Sequence, residues 1–312
     1  MRSPEGLLFP DFGYQPPRNQ HALRADMSSL IIILFDGFAF GMLLFVLSVG
    51  LSVTLGLMNF INLAHGAFGM LGGYVAVTVM RQLGFPFLLA LPTAFLAAAI
   101  VSVIFERLLF RRLYGATELN QVLFTIGVVF VASAVATYFF GTVQQVLILP
   151  EWLRGSVELF GMRFGVYRIF LIVISLIVTG VLVFGLERTR LGAQIRAAVD
   201  NQRAAKGLGL DVEKIFGITF ALGSGLAGLG GALAVEIVGL DPSFGFHFLV
   251  YVLIVVSVGG LGSITGSFVG AALLGIGDVA GKYFWPEIGS FLIYMLMVAI
   301  LFVRPLGLFG KR

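Results

Sequence analysis

The sequence predicts an all-α, polytopic membrane protein, on three observations: its composition, its long apolar runs and the placement of its charges. Of the 312 residues, 59% are hydrophobic and only 12% charged, and the mean hydropathy is +1.02. A soluble domain carries about twice that charged fraction. So few charges cannot cover a water-facing surface, so much of the surface must face lipid. The 41 glycines follow no collagen period and fit membrane helices that approach closely. Absence of cysteine excludes disulfides and thiolate metal sites. His21, His65 and His247 stand at unrelated spacings, so no metal site is expected. The net charge of +4 arises from short loops between apolar runs, and nucleic acid is not an expected partner.

Residues 1–27 read as a polar N-terminal lead-in containing Pro10, Pro16 and Pro17. They lack the early apolar core of a cleavable signal. The membrane domain is expected over 28–312. A crossing needs roughly 20 apolar residues. The candidates are 29–57, 58–80, 86–105, 119–140, 167–186, 215–235, 247–281 and 288–303. That gives about 8–10 helical segments once broken or re-entrant helices are counted.

Lysine and arginine gather on the cytoplasmic side of membrane proteins. Arg107, Arg111 and Arg112 mark the loop near 106–117 as inside. So do Arg188, Arg190, Arg196, Arg203, Lys206 and Lys214 in 187–214, and Arg304, Lys311 and Arg312 at the C-terminus. The balanced loop 141–166 is placed outside. Parity then carries a prediction. If 247–281 crossed once, the basic C-terminus would end outside. A break at Val258 to Gly266 (VGGLGSITG) returns it inside. Non-helical backbone at membrane depth survives only inside protein or beside a cavity, so this break is a candidate for the substrate path. The alternative is a plain helix hairpin with a glycine turn. The run 29–80 poses the same question, with a polar interruption at 58–66. It holds two crossings, or a crossing plus a broken helix, and the side of the N-terminus stays open.

Segment 187–214 is the most informative loop. Leu191, Ile195, Ala198 and Val199 share one helical face, with Arg190, Gln194, Arg196, Asp200 and Arg203 around the rest. Gly207 and Gly209 are expected to stop this helix, and Asp211 to cap the next. Such a helix lies passively at the lipid interface, or it docks into a partner. A weak, mostly alanine apolar face favours a partner. Elsewhere, Ser224 with Gly228, Ala227 with Gly231, Gly266 with Gly270 and Gly277 with Gly281 are small-residue pairs suited to helix packing.

Gly56 to Gly66 (GLMNFINLAHG), followed by Met70 to Tyr74 (MLGGY), resembles the signature of the permeases of branched-chain amino acid ABC importers, nearest the LivH-like type. Later motifs agree in order: Thr189 to Gly192, Arg196 to Ala198, Asp200, Ala204, Gly207 to Asp211, Val258 to Gly266, and Arg304 to Gly307. The resemblance covers about 30–310 and leaves residues 1–27 aside. It implies a fold similar to type II importer permeases. It implies partners: a second, LivM-like permease, two ABC ATPase subunits that use ATP, and a periplasmic substrate-binding protein, in a bacterial cytoplasmic (inner) membrane. No cofactor is expected in this chain. Under the resemblance, Leu191, Gly192, Ile195, Arg196, Asp200, Ala204, Gly207, Gly209 and Asp211 form the ATPase-coupling loop. Asn59, Asn62, His65 and Gly66, with Gly259, Gly260, Gly262 and Ser263, line the path. Asn59, Asn62 and His65 either face solute or hydrogen-bond the broken backbone. Asp36 either meets a cation in the path or sits near a headgroup. Glu236 and Asp241 lie near the expected outer face, where they either meet a binding protein or are solvated loop residues.

No lysine follows the glycine pattern of a phosphate-binding loop, so ATP use demands a partner. A secondary transporter or channel would need mid-membrane ionisable groups, and Asp36 is the only serious candidate. No Ser/His, paired-acid or histidine-metal set supports an enzyme. Leucine-like amino acids, urea and amides all suit the family, and selection rests largely with the binding protein.

Overall fold

The computed structural model describes residues 20–58 and 60–310, with side chains from Met27 onward except Leu57, Val199 and Asp200. Four long elements come first: α1 (Gln20–Met58), α2 (His65–Gln82), α3 (Phe87–Leu108) and α4 (Glu118–Phe140). A small hairpin, β1 (Ser156–Leu159) and β2 (Met162–Gly165), precedes α5 (Val166–Arg188). Two short helices follow, α6 (Arg190–Asp200) and α7 (Gln202–Gly207). The chain closes with α8 (Val212–Val238), α9 (Phe244–Gly259), α10 (Ile264–Phe284) and α11 (Gly289–Val303). Among the described residues, six helices are long and apolar enough to cross a membrane, and α9 and α11 are shorter apolar helices.

The expected spans are recovered with two corrections and one expected break. The span expected from 58 begins only at His65, because residues 60–64 are not helical. The hairpin adds a little sheet to an otherwise all-α chain. The long run 247–281 is two helices, with residues 260–263 between them. That turn needs left-handed backbone, supplied by Gly260 (φ 97°) and Gly262 (φ 77°).

Two ends of the bundle can be told apart. At one, the hairpin end, Gln144 Nε2 donates to the Val238 carbonyl at 2.8 Å, and Arg81 donates to the Gln145 side chain and the Val146 carbonyl. Arg168 pairs there with Asp36. At the opposite, basic end, Arg111 reaches Glu213 at 2.9 Å. The tail also folds back there: Leu308 N donates to Val258 O and Phe309 N to Gly259 O. α1 therefore starts at the hairpin end and the chain finishes at the basic end. Asp36 pairs with Arg168 of α5, and the described start of α1 lies on the hairpin's side.

The two halves retrace one path in opposite senses. In the first, α1, the non-helical residues 60–64, α2, α3 and α4 follow one another; in the second, α8, the connection 239–243, α9, α10 and α11. Close approaches tie equivalent elements. A Cβ on Gly50 would overlap the Gly223 carbonyl where α1 crosses α8, and one on Gly66 the Gly245 carbonyl where α2 meets α9. Such contact lets backbones touch across lipid-embedded helices. Gly228 and Gly231 of α8 likewise press on α3 and α2, which gives the small-residue pairs their packing role.

Candidate functional site

The first break places α2 so that it starts inside the bundle. Asn59 lies outside the described residues. Phe60 is buried among the rings of Phe110, Tyr114 and Phe220. The exposed backbone of the break finds side-chain partners on α4. Ile61 N donates to Gln121 Oε1 at 3.1 Å, and Leu63 N donates to Thr125 Oγ1 at 3.2 Å. Gln121 Nε2 donates in turn to the carbonyls of Leu113 and Ala116. Buried amides without partners are costly, so these two α4 residues hold the break in shape.

His65 is 1% exposed, and its Nε2 lies 2.8 Å from the Leu47 carbonyl. A carbonyl only accepts, so Nε2 carries the proton and Nδ1 is an acceptor. Among the described residues, Nδ1 has no partner, and neither does either side-chain polar atom of the fully buried Asn62. His65 thus ties the start of α2 to the backbone of α1. Asn62 makes no such bond. Gly66 contributes the close approach to Gly245 described above.

The second break is more compact. Gly259 abuts Gly266 and Gly270, Gly262 abuts Gly56, and Gly260 abuts Gly310. Ser263 Oγ caps α10, accepting from Gly266 N at 3.0 Å. This is a glycine turn between two helices, packed on the end of α1 and on the C-terminal tail. α9 is unusual instead at its start. Its 16 residues rise about 24 Å, short of a full hydrocarbon core of about 30 Å. It begins beside Gly66 and Gly69, so α2 and α9 start at one level and run apart.

The loop 187–214 is two helices rather than one. Thr189 caps α6 by accepting from Gly192 N, and Asn201 ends it and caps α7 by accepting from Ala204 N. Asp211 caps α8 as expected, accepting from Lys214 N at 3.0 Å. Gly207 ends α7 in an ordinary conformation. Gly209, at φ 80°, makes the left-handed turn. A Cβ at Gly192 would strike the carbonyls of Gly185 and Leu186, which locks α6 against the end of α5. Ile195 and Ala198 are buried against Ile215 and Phe216. Part of the apolar face expected to meet a partner, Ile195 and Ala198, is thus used within the chain. The side chain of Asp200 is not described. Leu191, Arg196 and Ala204 are exposed, and Leu208, between Gly207 and Gly209, is 81% exposed. Leu208 was missed because a lone leucine among glycines has no periodic signal.

Beside this loop, Glu106 is fully buried and accepts from Arg111 Nε and Nη2, both at 3.2 Å, and from Tyr114 Oη at 3.1 Å. Its hydrogen bond holds the Arg111 pKa above the ordinary value. Burial, then the Glu106 charge, pushes the Tyr114 phenol up. The cluster ties the end of α3 to the start of α8.

Asp36 is not the only acid within the apolar helices. Asp278, 1% exposed, pairs with Lys282 at 2.6 Å on α10. Glu236 and Asp241 lie where α8 leads into α9, and Asp241 Oδ1 accepts from Ser243 N, a turn role.

These features define a polytopic helical membrane protein whose helices start and stop inside the bundle, a transporter-type architecture. A family described as branched-chain amino acid transport system / permease component matches residues 33–301. The chain belongs to that family. It is 27% identical over 291 residues to BraD of Pseudomonas aeruginosa, a high-affinity branched-chain amino acid transport system permease protein, covering 89% of this chain and 95% of that one. It is 27% identical over 297 residues to the probable LivH of Methanocaldococcus jannaschii, covering 89% and 92%. LivM of Escherichia coli matches at 27% over 306 residues, 86% of this chain and 68% of that one. No solved structure matches.

Proposed function

We infer that this chain is the LivH-type permease subunit of an ATP-driven importer for branched-chain amino acids or related small polar solutes. The observation that carries this reading is the family match along nearly the whole membrane domain. Partners of this type are a LivM-like permease, two ABC ATPases and a periplasmic substrate-binding protein, assembled in the bacterial inner membrane. The basic end faces the cytoplasm and the hairpin end faces the binding protein. This follows the arginine placement.

The mechanism is alternating access. The exposed side of α6 and α7, with Arg196, Ala204 and Leu208, meets the ATPase. Closure of the ATPases around ATP displaces this loop. The contact of Gly192 with α5 and the caps at Asn201 and Asp211 make α5, α6, α7 and the start of α8 move together. Arg111 passes the motion to α3. The interior where α2 and α9 begin, around Gly66, then opens to one side or the other.

The test is reconstitution of the chain with its partner subunits in vesicles. ATP-dependent uptake of leucine or urea that stops when the ATPase is inactivated agrees with the reading. Solute flux from the isolated chain without nucleotide overturns it.

A further inference from the structure

A groove of about 670 Å³ lies at the basic end, between α3 and α8. Its two walls meet at the deep end and part towards the surface. A Cβ on Gly228 would overlap Ala98 and the Ala94 carbonyl, so α3 and α8 touch there, and the Phe95 ring packs on Gly225 to make the floor. Nearer the surface Arg111 bridges the gap, holding Glu106 of α3 and Glu213 of α8. The walls between are apolar, with Val103 on α3 and Ile218 and Leu222 on α8, none of them fully buried. From Arg107 to Phe95 α3 rises about 18 Å, and from Lys214 to Leu222 α8 rises about 12 Å. One leaflet of the hydrocarbon core is about 15 Å deep. The groove is thus one leaflet long, and its mouth lies where α3 ends and α8 begins, at the level of the membrane surface.

Charge is confined to the mouth, which is lined by Arg107, Arg111, Lys214, Asp211 and Glu213. The two carboxylates there already have donors: Glu213 has Arg111, and Asp211 accepts from the backbone N of Lys214. Glu106 is fully buried and held by Arg111 and Tyr114. Two cations are left over. Arg107 and Lys214 are exposed and form no ion pair among the described residues. Their unused N–H groups suit a phosphate, which accepts from both. An amphiphile matches the whole arrangement: its phosphate meets Arg107 and Lys214, and an acyl chain lies along the apolar walls below. A soluble anion would leave those walls bare. A zwitterionic headgroup would bring its own cation to a mouth that already holds two unpaired ones. We propose that this groove is a binding site for an anionic glycerophospholipid of the leaflet at the basic end, seated between α3 and α8.

The site needs only the membrane setting of the basic end, whatever solute the permease carries. Binding is read by native mass spectrometry of the purified full-length chain in detergent, titrated with phosphatidylglycerol or with phosphatidylcholine of the same acyl chains. The first phosphatidylglycerol is expected to bind at least about fivefold more tightly than the first phosphatidylcholine. Arg107→Gln combined with Lys214→Gln should erase that preference. Ala221→Phe, which fills the groove between its walls, should weaken binding of the first phosphatidylglycerol at least about fivefold. Glycerol 3-phosphate, a headgroup without tails, should not displace the lipid. Equal affinity for the two lipids, an unchanged preference in the double variant, or displacement by glycerol 3-phosphate overturns the site. The comparison of lipids uses the unaltered protein, so a variant that misfolds does not blunt the test. The same titration on the chain assembled with its partner subunits tells a lipid from a protein occupant. The preference for phosphatidylglycerol is expected to survive assembly; its loss would give the groove to a subunit and overturn the proposal.

Discussion

Glu106 offers the sharpest test of how the basic end is held together. Glu106→Gln keeps the side-chain shape but removes the charge that accepts from Arg111 twice and from Tyr114 once. Removing one partner of a buried ion pair costs about 3–5 kcal/mol. Arg111 is 35% exposed and keeps Glu213, so part of that cost is recovered by water and by the second pair. The expected loss is about 2–3 kcal/mol, or about 30- to 150-fold in the unfolding equilibrium. The measurement is denaturant unfolding of the purified chain in mixed micelles, followed by circular dichroism. Glu106→Leu with Arg111→Met should cost less than Glu106→Leu alone, because the double change leaves no orphan guanidinium. A Gln variant within about 0.5 kcal/mol of the parent, or a strictly additive double variant, refutes this account.

Three further outcomes are expected. Gly209→Ala forces a side chain into left-handed backbone, a strain of about 1–2 kcal/mol, and should lower ATP-coupled uptake, whereas Gly207→Ala has open space and should be silent. Leu208→Ala should weaken retention of the ATPase during purification without altering the unfolding midpoint; full retention would remove Leu208 from the docking surface. Gly50→Leu drives a side chain into the Gly223 carbonyl and should abolish the folded bundle, read as loss of monodisperse protein in detergent. Gly127→Leu, facing open space on α4, should fold normally.

Long elements were legible because hydropathy and charge act over whole helices. Ile169 to Leu186 carries no charge, and α5 runs over Val166–Arg188. The break near Gly260 was legible because a run of that length cannot cross once and end on the basic side. Other features depend on pairing between distant residues. Nothing near Gln121 in the chain announces that it serves Ile61, and Asp36 does not announce Arg168. Asp278 escaped notice because the surrounding glycines and aliphatics dilute a single acid in so long an apolar run. The division of α6 from α7 was encoded locally, in Asn201 and the amide three residues on, but the alanine-rich periodicity on either side hid it. The hairpin at 156–165 has strands of only four residues each, too short for their alternation to stand out.

The weak attachment of α4 carries a consequence of its own. Its buried residues are Gln121, Thr125, Val129 and Ala136, a single narrow stripe. Beside it an apolar cleft of about 810 Å³, edged by Phe68, Tyr74 and Phe105, separates it from α2 and α3. Yet this loosely seated helix is the splint that sets the bent backbone ahead of His65. Were it to swing outward by a few ångströms, the amides of Ile61 and Leu63 would lose their acceptors in the same instant. Whatever fills that cleft, a lipid tail or a neighbouring subunit, therefore has a lever on the innermost stretch of irregular chain from the outside of the molecule.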